Sequence, residues 1–291
     1  MANNASRTAK RLLLGQELAH LIDDAQLTQT DAGRVIEKSQ GQIASLIAGT
    51  ATITVGDLER LAKWLGVTDE GYMEALLSLR RDNHKRGFWT TGHNRAYAED
   101  YRLMVDLERH ADLMRAVGVE LMPGLLQCEA YVRAFHQDVI GEDADVSLED
   151  RIKARLARQE VLLKDDAPEY RVVMSESCLD REYGSPEVMR EQIAYLMKKS
   201  REPNVLVQVM PYKLRARRVS MSNPFIMIRV PSPGLAGPLE IAYVQGEGEI
   251  RYLDDAKALA AHDRAWSRLS DAALNTEDTR KFLRFKLAAT K

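Results

Sequence analysis

The stretch Leu27-Thr28-Gln29-Thr30-Asp31-Ala32-Gly33-Arg34-Val35-Ile36-Glu37-Lys38-Ser39-Gln40-Gly41-Gln42-Ile43-Ala44-Ser45-Leu46-Ile47-Ala48-Gly49 decides how the first part of this chain folds. Two helix starts are written in it. Thr28 is a good N-cap, and Asp31 stands three residues on, where an acid completes a capping box. Ala32, Val35 and Ile36 give the short helix that follows an apolar face. Ser39 is a second N-cap and predicts a helix over 40–48. Gly49 can adopt the left-handed conformation that ends it.

The flanks read as helices too. Leu14, Leu18, Leu21, Ile22 and Ala25 fall at steps of three and four, so residues 6–25 predict a helix before the pair. Leu58, Leu61, Ala62 and Leu65 predict another over 55–65, and 70–80 a further one. Two short helices across a tight turn, braced by scaffold helices, make a helix-turn-helix. In that motif the N-terminal residues of the second helix meet base edges in the major groove. Those residues are Gln40, Gln42 and, one turn later, Ser45. A glutamine amide both donates and accepts, which suits adenine. Thr28, Gln29 and Ser39 flank this surface, and Ile43, Leu46 and Ile47 face inward. The competing reading is an all-α bundle that binds protein.

Leu27-Thr28-Gln29, Ser39-Gln40-Gly41-Gln42-Ile43 and Gly49 together resemble the XRE-type helix-turn-helix of phage-repressor-like regulators. The resemblance implies that Gln29 contacts phosphate or braces the recognition side chain. Such domains often carry an Arg late in the first helix, paired with a Glu just before the terminating Gly. Ile22 and Ile47 stand at those positions. An apolar contact is expected to replace the pair, since exchanging an ion pair for packed apolar groups can be neutral or better.

Charge does not advertise a nucleic-acid binder. The net charge is −2, and in the first 66 residues three Lys and four Arg balance four Asp and three Glu. Any grip on DNA must rest on where charges sit. An apolar content of 45% excludes a disordered chain. No apolar run reaches the roughly 18 residues of a membrane span, and no signal peptide is evident, so a cytoplasmic protein is expected. Cys128 and Cys178 form no Cys-x-x-Cys pair, and six scattered histidines give no ligand spacing. Neither metal nor cofactor is expected, and the thiols are expected to be buried and inert.

The expected organisation is a helix-turn-helix domain of about five helices over 1–80, a connector over 81–97, and a larger domain over 98–291. The connector carries Arg81, Lys85, Arg86 and Arg95, which could touch phosphate or simply be solvated, and Phe88-Trp89 would anchor it. Beyond it, helices are expected over 99–116, after Pro123-Gly124, and over 148–163. The pattern then changes period. Strands are expected at 170–174, 205–210, 225–230 and 240–244, with Ile250-Arg251-Tyr252 as an extension. Helices at 187–199, 254–269 and 278–287 complete an α+β domain with about four strands in a small sheet, making the chain mainly α with α+β.

This half is similar to the C-terminal domain of actinobacterial, antitoxin-like XRE regulators. The residues that carry the likeness are Pro123-Gly124-Leu125-Leu126-Gln127 with Glu129-Ala130-Tyr131, Arg158-Gln159, Ser175-Glu176, Glu202-Pro203-Asn204-Val205 and Gln208-Val209-Met210-Pro211. The resemblance implies transcriptional control, often beside a gene for a small partner protein. Lys213, Arg215, Arg217 and Arg218 form a basic loop that could receive an acidic partner or a phosphate, or be a solvated hairpin. Ser175-Glu176-Ser177-Cys178 lacks a nucleophile elbow and a neighbouring His, so no enzyme is expected. The expected protein is a homodimeric, sequence-specific regulator of double-stranded DNA, controlled through its second domain by a ligand or a small protein. The alternative is an antitoxin-like module with DNA binding secondary.

Overall fold

The structure is a computed structural model and describes residues 7–82, 96–137, 146–213, 219–246 and 249–290. It divides into two compact units that do not follow chain order. The first gathers the described part of Met1–Thr90 with Arg102–His110 and Val230–Leu239. The second holds the remainder.

In the first unit, α1 (Ala9–Asp24) is capped by Thr8, whose hydroxyl accepts from the Arg11 amide at 3.3 Å. Its Leu12, Leu13, Leu14, Leu18, Leu21 and Ile22 are buried. α2 (Gln29–Val35) and α3 (Gln40–Ile47) follow, joined through Ile36, which is buried, and Glu37, whose φ of 57° turns the chain. Gly49 has φ 70°, as expected of a helix terminator. α4 (Val55–Trp64) starts at the Thr54 cap, and α5 (Glu70–Asp82) packs on α1 and α4. α6 (Arg102–His110) joins this unit: Asp106 Oδ2 accepts from the Ala9 amide at 2.7 Å, holding the start of α1.

The second unit is built on a six-stranded mixed sheet of order β3-β2-β1-β4-β5-β6. The strands are β1 (Leu113–Gly118), β2 (Glu169–Ser175), β3 (Val205–Met210), β4 (Phe225–Val230), β5 (Leu239–Gly246) and β6 (Glu249–Leu253). β1 runs parallel to β2, and β2 parallel to β3, with Val117 opposite Val173 and Val173 opposite Gln208. β4 is antiparallel to β1 and β6 to β5.

Two expectations are corrected here. The sheet has six strands where about four were expected, and the helix expected over 99–116 stops at His110. The remainder of that segment is β1, an interior strand of the sheet. Leu103, Leu107, Ala111 and Met114 continue a helical spacing through the boundary and hide it. Asp112 ends the helix: its amide donates to the Arg229 carbonyl at 3.0 Å, and its carboxylate takes Arg229 Nε and Nη2 at 2.9 and 3.1 Å. Ala116-Val117-Gly118 is buried on both faces, and such a run does not alternate.

Helices cover the sheet. α11 (Ala256–Ala272) lays Trp266 and Leu269 against Val117, Val173, Met210, Phe225 and Met227. The turn into α12 (Thr276–Ala289) covers the β3 edge. Leu274 N donates to the Val209 carbonyl at 3.0 Å, and Val209 N donates to Thr279 Oγ1 at 3.1 Å. α7 (Glu129–Gln137), α8 (Leu148–Gln159) and α10 (Pro186–Lys199) pack together, while α9 (Ser177–Asp180) is a single turn after β2.

The motifs around Pro123 prove to be one buried polar assembly. Gln159 Nε2 donates to the Gly124 and Gln127 carbonyls at 3.1 and 2.7 Å. Gln192 donates to Leu126 O at 2.7 Å and accepts from the Cys128 amide at 2.8 Å. A non-repetitive buried segment needs such partners for its backbone groups, so these side chains serve the core.

Candidate nucleic-acid interface

α2 and α3 are each opened by a complete capping box. Thr28 Oγ1 accepts from Asp31 N at 3.2 Å while Asp31 Oδ2 accepts from Thr28 N at 3.1 Å. Ser39 Oγ accepts from Gln42 N at 3.3 Å while Gln42 Oε1 accepts from Ser39 N at 2.9 Å. These reciprocal bonds fix where each helix begins. Hydrogen bonds from Thr28, then the charge of Arg34, hold the Asp31 carboxyl below the usual carboxylate range.

The exposed start of α3 carries Gln40, Gly41 and Gln42, with Ile43 and Leu46 buried beneath. Gln40 Nε2 donates to Gln29 Oε1 at 2.7 Å, so the first residue of α2 holds the first side chain of α3. That bond leaves the Gln40 carbonyl and its second amide hydrogen outside the pair. Gln42 commits its carbonyl to the cap. Ser45 donates back to the Gly41 carbonyl at 2.9 Å. Thr28, Gln29, Ser39, Gln40, Gln42 and Ser45 therefore lie together at the facing ends of two helices. Of the three glutamines only Gln40 keeps its carbonyl outside these bonds, with one amide hydrogen beside it.

Four cations of the module are tied to acids. Arg34 meets Asp31 at 3.0 Å, and Lys38 and Arg60 meet Asp57 at 3.5 and 3.2 Å. Arg81 pairs with Glu74. Lys85, Arg86 and Arg95 of the connector, with Phe88-Trp89, lie outside the described residues, as do Arg215, Arg217 and Arg218. Lys213 is described and exposed after β3. Ile22 is buried and Ile47 half-buried, on helices that pack against each other.

The second unit places a polar cluster just beyond β2. Ser177 Oγ donates to Glu120 at 2.9 Å, which also takes Arg181 at 2.6 Å, and Lys286 joins Glu176 and Asp180 at 2.7 and 2.6 Å. Burial pushes the Cys178 thiol up to about 12 and raises that of Cys128. Each group is engaged by a neighbour or kept protonated, which suits a structural role. Sequence reasoning missed a further set of residues, Gln16 and Glu17 with the loop 231–238. The available signal was an acid inside the apolar run of α1, together with the Pro- and Gly-rich composition of Pro231-Ser232-Pro233-Gly234-Leu235-Ala236-Gly237-Pro238.

Residues 101–285 match a domain of unknown function (DUF5753). The chain belongs to the DUF5753 family. Residues 13–74 match a helix-turn-helix domain, spanning the two capped helices and their scaffold. The N-terminal module is thus a helix-turn-helix, a fold that binds DNA. The DUF5753 segment contains the whole sheet, and also α6 and the loop 231–238, which belong to the first unit. No curated protein and no solved structure matches the chain. Among the described residues no helix is long and apolar enough to cross a membrane.

Proposed function

We propose that this chain is a sequence-specific transcriptional regulator of the XRE type, acting in the cytoplasm as a homodimer. It reads the major groove with α3, and the DUF5753 segment sets its activity in response to a ligand or a small protein encoded nearby. The observation that carries the reading is the Gln29–Gln40 bond at the exposed, doubly capped start of α3. A braced glutamine offers adenine its carbonyl and one amide hydrogen at little cost in side-chain entropy. Gln42 contributes mainly through the cap. In this reading the chain performs no chemistry of its own, which accords with the engaged Ser177 and the protonated Cys178.

One observation favours the antitoxin-like alternative: the first 66 residues are charge-balanced. Phosphate neutralisation supplies most non-specific affinity. A lone module is accordingly expected to bind DNA weakly, with dimerisation offsetting this. Half-sites would lie about one helical turn apart. The deciding experiment selects bound sequences from random duplex DNA with the full chain, then follows affinity against salt. A two-fold-symmetric motif supports the regulator; no enrichment at any salt leaves the partner-neutralising reading.

A further inference from the structure

We propose that Gln16 and Glu17 are positioning residues for the DNA-reading helix, and that the loop 231–238 is the receptor that sets them. The inference rests on the reading of α3 as the recognition helix. Plain packing does not explain one burial in α1. Glu17 is fully buried, at 0% exposure, in the middle of α1. A carboxylate only accepts hydrogen bonds, and a buried one needs donors around both oxygens.

The loop supplies most of them. Oε1 accepts from the Ser232 hydroxyl at 2.6 Å and from the Ala236 amide at 3.2 Å. Oε2 accepts from Leu235 N at 2.9 Å, from Ala236 N at 3.1 Å and from the Tyr72 hydroxyl of α5 at 2.7 Å. Ser232 Oγ also accepts from Gly234 N at 3.1 Å, which folds the loop into a shape that aims its amides inward. A Cβ on Gly234 would stand 2.3 Å from Glu17 Cδ, so any larger residue here must displace that carboxylate. Gln16 adds an opposite pairing. Its Nε2 donates to the carbonyls of Ala236 and Gly237 at 3.1 Å each and of Pro238 at 3.4 Å. One residue takes the loop's amides and its neighbour takes the loop's carbonyls.

The preceding residue faces α3. A Cβ on Gly15 would lie 2.1 Å from the Ile47 carbonyl oxygen and 2.9 Å from that of Leu46. The α1 backbone therefore rests directly on the last turn of the recognition helix, with no side chain between to absorb movement. Gly15, Gln16 and Glu17 thus join α3 to the loop through one turn of helix. The loop connects β4 to β5 and lies within the DUF5753 match. A shift of the loop moves α1 through Gln16 and Glu17, and α1 moves the last turn of α3.

The test uses the full chain with Glu17→Gln and Gly234→Ala, which disturb the same contact from its two sides, and Ser232→Ala as a milder variant should either fail to fold. Hydrogen–deuterium exchange of α3 is measured without DNA. Affinity for a duplex selected by the unaltered chain, and for a scrambled duplex, is measured at a temperature where circular dichroism shows the variants folded. The expected result is roughly tenfold faster exchange in α3. Binding to the selected duplex should weaken about tenfold, with scrambled DNA and the salt slope unchanged. Ser232→Thr, which keeps the hydroxyl, should restore both. Folded variants with unaltered α3 exchange and unaltered selectivity would overturn the proposal. If the unaltered chain selects no sequence, the regulator reading fails, and the exchange arm alone still decides whether the loop sets α3.

Discussion

At the scale of single residues, the structure separates side chains of the same type by what they are bonded to. Gln40 and Gln42 lie two positions apart on α3, yet one is braced by Gln29 and the other closes a capping box. Gln40→Ala should cost about 1–3 kcal/mol on the preferred sequence and relax preference at one base pair, leaving the salt slope unchanged. Gln42→Glu keeps an acceptor at the cap, so urea denaturation should show stability close to that of the unaltered chain. Gln42→Ala should lose about 1 kcal/mol, in the range of capping losses. A drop in base selectivity for Gln42→Glu as large as that for Gln40→Ala would return Gln42 to the groove. The glutamine-rich helix start was legible in the sequence, because N-cap spacing and residue type both point to it. The division of labour was not, because glutamine at the third helical position serves a cap and a groove equally well. Glu17 was harder still, since its partners in the loop lie more than two hundred residues away.

At the scale of elements, local signals succeeded where they are local. Both N-caps, the Thr28–Asp31 capping box, the terminating Gly49 and the helices of the first module could be read from side chains that act within four residues. β1 could not, because its identity depends on neighbours: flanked by β2 and β4, Leu113–Gly118 is held by pairing that no periodicity within it reveals. The apolar replacement at Ile22 and Ile47 is also decided between elements. Ile22 is buried and Ile47 half-buried, so Ile22→Ala should cost about 2–4 kcal/mol and Ile47→Ala less. A double-mutant cycle by chemical denaturation should give a coupling of at least about 0.5 kcal/mol if the two side chains pack together; strict additivity would show that they do not.

At the scale of the whole molecule, the two units draw on the chain out of order, which composition and spacing gave no means to anticipate. One consequence of burial in the second unit is a pH dependence. Burial, and then the charges of Arg155 and Arg151, lower the His136 pKa from 6.5 to about 4. The unfolded chain therefore binds more protons than the folded one between those values. Stability from this group is full above about 6.5 and falls as pH drops towards 4. After solvent screening the loss should be about 1–2 kcal/mol, and His136→Gln should flatten it in thermal melts taken across that window. The central claim is that α3 reads DNA through a glutamine held by its neighbour. It is tested most directly by selecting bound sequences from random duplex DNA with the full chain and with Gln40→Ala, side by side. The account predicts a defined motif for the unaltered chain and the loss of preference at one position of each half-site for the variant. Identical motifs, or no motif from either, would contradict it.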